Sequence, residues 1–224
     1  MDEIVSLLRQ RADEGYRAFH MRLIPTVAPA RILGVRTPEV RALARSLAGT
    51  PEAEAFLREL PHEYYEENNL HAFLLERERD YGALIEGLNR FLPFVDNWAT
   101  CDSLSPALFK KRPDGLPEQA LQWMQSSQTY TVRFGIGVLM RYYLDKGFRP
   151  EYAERVAKIH SEEYYVRMMV AWYFAAALAA REEDALPYLT GRRLDPWTHR
   201  RAIRKAIESS RVSPERKRFL RSLR

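Results

Sequence analysis

The sequence predicts an all-α protein, built as an α-solenoid of stacked helix pairs. Three observations point there: helix-starting tripeptides spread along the chain, apolar residues at three- and four-residue steps between them, and a motif that returns after 34 residues. No stretch of six or more residues alternates cleanly with period two. With 10 Gly and 13 Pro in 224 residues, glycine is also too scarce for a turn-rich β fold.

The helix starts come first. Thr37-Pro38-Glu39, Thr50-Pro51-Glu52 and Ser213-Pro214-Glu215 share one pattern. A hydroxyl at the N-cap accepts from an orphan backbone N–H, proline at the first helical position loses no hydrogen bond, and the acid faces the positive end of the dipole. Asp195-Pro196-Trp197 is a fourth start, and Ser161-Glu162-Glu163 caps without proline. Between starts, Val132, Ile136, Leu139, Met140 and Tyr143 mark one amphipathic helix, and Val166, Met169, Val170, Tyr173, Phe174 and Leu178 another.

The repeat follows from these helices. Tyr130-Thr131-Val132-Arg133 returns as Tyr164-Tyr165-Val166-Arg167, and a further 34 residues reaches Arg201. One step back lands at Ala99, beside Trp98. Such a period predicts helix pairs that share one continuous core and curve into a concave groove. Each arginine of the series then occupies the same place on successive second helices, either facing the groove or bracing adjacent repeats. Gly135 and Gly137 fall within a helical pattern, where they permit close helix packing. No linker or low-complexity segment interrupts the chain, so residues 1–224 read as one domain.

Charge is segregated. The chain has 35 Lys and Arg against 30 Asp and Glu, a net +5. Residues 191–224 hold 12 of the basic and 3 of the acidic residues, a net +9, which leaves −4 for residues 1–190. A basic tail of this kind fits a polyanion, or otherwise a solvated helical face. Residues 50–90 carry 10 acids against 4 arginines and read as a solvated outer face. A single cysteine, Cys101, excludes an internal disulfide and a Cys-based zinc site. No apolar run approaches the ~20 residues that span a bilayer, and Met1-Asp2-Glu3 does not open a signal peptide. A cytoplasmic location is expected.

Several chemistries are absent from the sequence. It has no Gly-rich phosphate loop and no G-x-S-x-G elbow, and its five histidines lack metal-ligand spacing. The informative segment is Val95-Asp96-Asn97-Trp98-Ala99-Thr100-Cys101-Asp102-Ser103. Trp98 and Asp102 are four apart and share a helix face. An indole beside a carboxylate holds a cation; alternatively, Trp98 is core and Asp102 a cap or ion-pair partner. Cys101 reads as small-residue packing, Trp123 and Trp197 as core or inter-repeat residues, and Tyr64 and Tyr65 as packing between N-terminal repeats.

This segment resembles the catalytic helix of the AlkD-like DNA alkylation repair family, the HEAT-like-repeat DNA glycosylases. Ile32-Leu33-Gly34-Val35-Arg36-Thr37-Pro38 resembles the family's N-terminal signature. Ser127 to Arg133 resembles the segment with its phosphate-contacting arginine, and Glu163 to Trp172 the helix with its second tryptophan. The four matches run in order from about residue 20 to 210.

The resemblance implies a groove of HEAT-like helix pairs that holds duplex DNA, alkylated or distorted, by its backbone. It implies hydrolysis of the N-glycosidic bond of cationic N3- or N7-alkylated purines, with no cofactor, no metal and no lyase step. Asp102 becomes the catalytic carboxylate, Trp98 and Trp172 the aromatic walls, and Arg133, Arg167 and Arg201 the phosphate grip. A monomer is expected. The chain departs from the family at Asn97 and Ala99, which replace an aromatic and an acid, and at Ala175, near where the family has an arginine. The alternatives are a non-catalytic module that binds branched or distorted DNA and a protein-binding solenoid.

Overall fold

The computed structural model describes residues 2–223, so Met1 of the N-terminal motif and Arg224 of the basic tail lie outside the described residues. The chain divides into two compact units that meet in sequence at Pro113 and Asp114. Among the described residues all regular structure is helical, with one isolated bridge between Ala12 and Val35.

The first unit contains α1 (Asp2–Arg9), α2 (Glu14–Leu23), α3 (Thr37–Leu47), α4 (Pro51–Arg58), α5 (Tyr65–Leu75), α6 (Tyr81–Phe91) and α7 (Trp98–Ser103). Helix α3 packs on α5, and α5 on α7. The second unit contains α8 (Leu116–Trp123), α9 (Thr129–Tyr142), α10 (Pro150–Ala157), α11 (Tyr164–Ala180), α12 (Glu182–Thr190), α13 (Pro196–Glu208) and α14 (Pro214–Ser222). Here α9 packs on α11, and α11 on α13. Within each unit, alternate helices thus form a row, and the 34-residue series Arg133, Arg167, Arg201 steps from one member of the row to the next.

Three of the five expected caps form as the sequence predicts. Thr50 Oγ1 accepts from Ala53 N–H, Ser213 Oγ from Arg216 N–H, and Asp195 from both Trp197 and Thr198 N–H. Two differ. Helix α3 takes Arg36 as its N-cap, so Thr37 is already helical and its side chain caps nothing. Ser161 Oγ accepts from Glu163 N–H two residues on, which closes a turn, and α11 starts only at Tyr164.

The acidic stretch 50–90 corrects the expectation of a solvated face throughout. Every residue of α5 is buried, including Glu66, Glu67, Asn68, Asn69 and His71, because α5 lies between α3 and α7. The buried carboxylates are satisfied locally: Glu67 Oε2 accepts from Tyr64 N–H at 2.8 Å, and Glu66 accepts three backbone N–H groups of the Leu33–Val35 loop. His62 and His71 share a hydrogen bond of 2.8 Å and stack on Phe56 and Phe91 respectively. Tyr65 is core and pairs through Oη with His20 Nε2 at 2.8 Å; Tyr64 Oη accepts from Arg9.

In the second unit Trp123 is buried edge-on to Phe134. Gly135 sits where α9 presses on α8: a Cβ there would stand 2.6 Å from the Ala120 carbonyl oxygen. At Gly137 it would stand 3.0 Å from Met169 Cε of α11. Both glycines therefore serve close packing. No helix of the described residues is long and apolar enough to cross a membrane.

Candidate functional site

Helix α7 is fixed before it presents anything. The Asn97 side chain accepts from Thr100 N–H at 2.8 Å and donates to Asp96 Oδ1 and Thr100 Oγ1, each at 3.0 Å. Thr100 Oγ1 in turn donates to Asn69 Oδ1 of α5 at 2.8 Å. Asp96 also pairs with Arg31 at 2.8 Å. Asn97 and Thr100 are completely buried, so this closed polar network pins the start of α7 onto α5. The departures from the family pattern are explained by position: Asn97 is the cap, and Ala99 lies in the apolar cluster with Ile24, Val27, Ile32 and Tyr65.

Trp98 and Asp102 stand one turn apart on α7, on the same face, and both are half-buried. The Trp98 ring packs on that apolar cluster. Its Nε1–H donates to the Leu23 carbonyl at 2.8 Å. Leu23 is the last residue of α2, where carbonyls lack an intrahelical partner, so the indole closes α2 while being held in one orientation. Cys101, between them in sequence, is buried.

In the second unit the arginine series falls at the fifth, fourth and sixth residues of α9, α11 and α13. Arg133 is 4% exposed, and its Nη1 donates to the Tyr165 carbonyl at 2.8 Å. Arg167 Nη2 donates to Asp195 Oδ1, the N-cap of α13, at 2.9 Å. Burial raises the Asp195 carboxyl, but the hydrogen bonds from Thr198 and Arg167 outweigh it and hold the group below the ordinary aspartate value. Both arginines thus brace one helix of the row against the start of the next.

Arg201 meets an aromatic ring of its own helix. Its guanidinium lies 5.2 Å from the Trp197 ring centroid, and Arg167 lies 4.7 Å from the same ring. Tyr164 meets Trp197 edge-on at 5.7 Å. Trp197 is thereby an inter-helix residue with two cations on its π system.

An open cleft of about 600 Å³ is lined by Trp197, Arg200, Arg201, Arg204, Ile207 and Glu208, one face of α13. Arg200 and Arg204 were not singled out in the sequence, although their spacing from Trp197 places them on that face. Trp172 on α11 is 38% exposed, and Lys205 Nζ lies 5.7 Å from its ring centroid. Ala175 is buried with Tyr173 and Phe174, so that position faces the core. Among the described residues no group of three or more His, Cys, Asp or Glu is arranged to hold a metal ion.

In comparison with known families, residues 4–206 match the model of a family described as DNA alkylation repair enzyme. A search of curated proteins finds no match.

Proposed function

We propose a catalytic function from the premise that this chain belongs to the DNA alkylation repair enzyme family. Its role is in DNA repair, and DNA is its substrate. In our reading it is a monofunctional DNA glycosylase, a hydrolase that releases cationic N3- or N7-alkylated purines from duplex DNA. The observation that carries this reading is the pair on α7: a carboxylate, Asp102, one turn from an indole, Trp98, whose orientation is fixed by Leu23.

The chemistry asks little of the leaving group. An alkylated purine already bears a positive charge, so the C1′–N bond breaks with its electron pair going to the base, which leaves neutral. The sugar is left oxocarbenium-like. The Asp102 carboxylate stabilises that charge, and the face of Trp98 attracts it. Water then adds at C1′ and loses a proton, leaving an abasic site.

Arg201, with Arg200 and Arg204, supplies the grip on backbone phosphates. Arg167, paired with Asp195, supports that grip by holding α11 against the start of α13. Arg133, deeply buried, contributes by holding α9 against α11.

The test is base release from methylated duplex DNA. Wild type releases 7-methylguanine or 3-methyladenine, and Asp102→Asn abolishes release while duplex binding persists. No release at large enzyme excess, together with tight binding to junctions that is indifferent to Asp102→Asn, would establish the non-catalytic DNA-binding alternative instead.

A further inference from the structure

We propose that the first unit carries a separate phosphate-binding pocket, rimmed by Arg45, Arg77 and Lys110. It is a cavity of about 390 Å³ between α3, α5 and the segment that follows α7. It lies outside the Trp98–Asp102 pair and does not depend on the glycosylase reading.

The floor of the pocket is an internally neutralised unit. The Arg41 guanidinium lies 3.8 Å from the Phe73 ring centroid, donates to Glu76 Oε2 at 2.5 Å and donates to the Ser103 carbonyl at 3.2 Å. Glu76 Oε1 also accepts from Ser105 N–H at 2.7 Å. The single carboxylate of the lining is therefore already engaged, by Arg41 and by a backbone donor, and only 12% of its side chain is accessible.

The rim is different. Arg45, Arg77 and Lys110 are exposed, and among the described residues no side-chain ion pair or hydrogen bond engages any of the three. Three uncompensated cations around one concavity focus a positive potential. Two of them are guanidiniums, whose donor forks match the oxygens of a phosphate, and the third is a mobile ammonium. The chemical class that fits is a phosphate or diphosphate group, from either a DNA backbone or a free phosphate-bearing solute. Through Arg41 and Ser103 the pocket is joined to the C-terminal end of α7, next to Asp102 in sequence.

The experiment compares the full chain with the triple variant Arg45→Gln/Arg77→Gln/Lys110→Gln. A control, Lys146→Gln/Arg149→Gln/Arg155→Gln, removes the same charge from exposed positions of the second unit. Two readouts are taken: affinity for a lesion-free duplex across a salt series, and the shift in Tm caused by inorganic pyrophosphate.

If the pocket holds a backbone phosphate, the rim variant loses about tenfold or more in duplex affinity at moderate salt, and its log–log salt slope falls by about 2 to 3. If it holds a free solute, pyrophosphate raises the Tm of wild type and control but not of the rim variant, and duplex affinity is unchanged. The proposal is overturned if rim variant and control behave alike in both readouts. Because neither readout involves base release, failure here is distinguishable from failure of the glycosylase reading.

Discussion

The carboxylate of Glu66 accepts from the backbone N–H of Gly34 at 2.7 Å, across 32 residues of sequence. The neighbouring N–H groups of Leu33 and Val35 close on the same carboxylate at 2.9 and 3.2 Å. The loop that resembles a family signature is therefore wrapped around a buried carboxyl group from α5. Burial pushes the Glu66 carboxyl up and the three backbone donors pull it down, with burial the larger effect. Glu66→Ala leaves those donors without an acceptor, at about 1–3 kcal/mol for each buried group. We expect a loss of at least about 3 kcal/mol, seen as a fall in Tm of about 6 °C or more. Glu66→Gln keeps one oxygen acceptor and should lose less. A Tm for Glu66→Ala within about 2 °C of wild type, under 1 kcal/mol by the same conversion, would refute this account.

Gly34 itself has φ +92°, a region that residues with a Cβ rarely adopt. A Cβ there would stand 2.6 Å from Arg17 Cβ and 2.7 Å from the Asp13 carbonyl oxygen. Gly34→Ala should cost about 2 kcal/mol or more in chemical denaturation. Gly49→Ala has a similar φ of +80° but open space around it, so it should cost less. Equal costs at the two sites would show that contact, as distinct from backbone conformation, contributes nothing.

Acid stability is set in part by the histidine pair. Burial holds His62 down to about 4, and His71 is lowered further by burial and by the neighbouring His62 and Arg90. His20 is lowered by burial as well. Between pH 6.5 and 4 the unfolded chain binds more protons than the folded one at these sites, so stability rises with pH across that window and is lost as pH falls through it. The urea midpoint should therefore drop steadily from pH 7 to pH 4, by the equivalent of about 3 kcal/mol for His62 alone. The double variant His62→Leu/His71→Phe should flatten that profile; an unchanged slope would remove the pair from the explanation.

The α13 cleft predicts a binding effect without a stability effect. Arg204 pairs with Glu208 at 3.0 Å, but both side chains are about 60% accessible, so the pair contributes a few tenths of a kcal/mol at most. Arg200→Ala and Arg204→Ala should each lower the salt slope of duplex binding by about one and weaken affinity, with Tm unchanged. An unchanged slope, measured by fluorescence anisotropy between low and moderate salt, would exclude the cleft from the DNA interface.

How much of this was legible in the sequence differs from residue to residue. The caps at Thr50, Asp195 and Ser213 were readable, because a cap is satisfied by N–H groups two or three residues away. Thr37 and Ser161 carried the same signature and did something else: helix α3 begins one residue early, and the Ser161 hydroxyl is consumed by a turn. The close packing at Gly135 and Gly137 was also readable, from glycine inside a helical period. Glu66 was not, since a lone acid in an acidic stretch gives no sign of the loop it will meet.

By itself the sequence determined an all-helical chain, the places where several helices start and the 34-residue step that aligns Arg133, Arg167 and Arg201. Those properties are local or periodic, and hydrogen-bond chemistry over a few residues is enough to fix them. Tertiary structure alone decided which polar groups are buried and which remain available. It turned Arg133 and Arg167 into braces, closed a loop on Glu66, and left Arg200, Arg201 and Arg204 lining a cleft. The reason is physical: the cost of a buried charge, and the partner that offsets it, exist only once distant segments have been packed together.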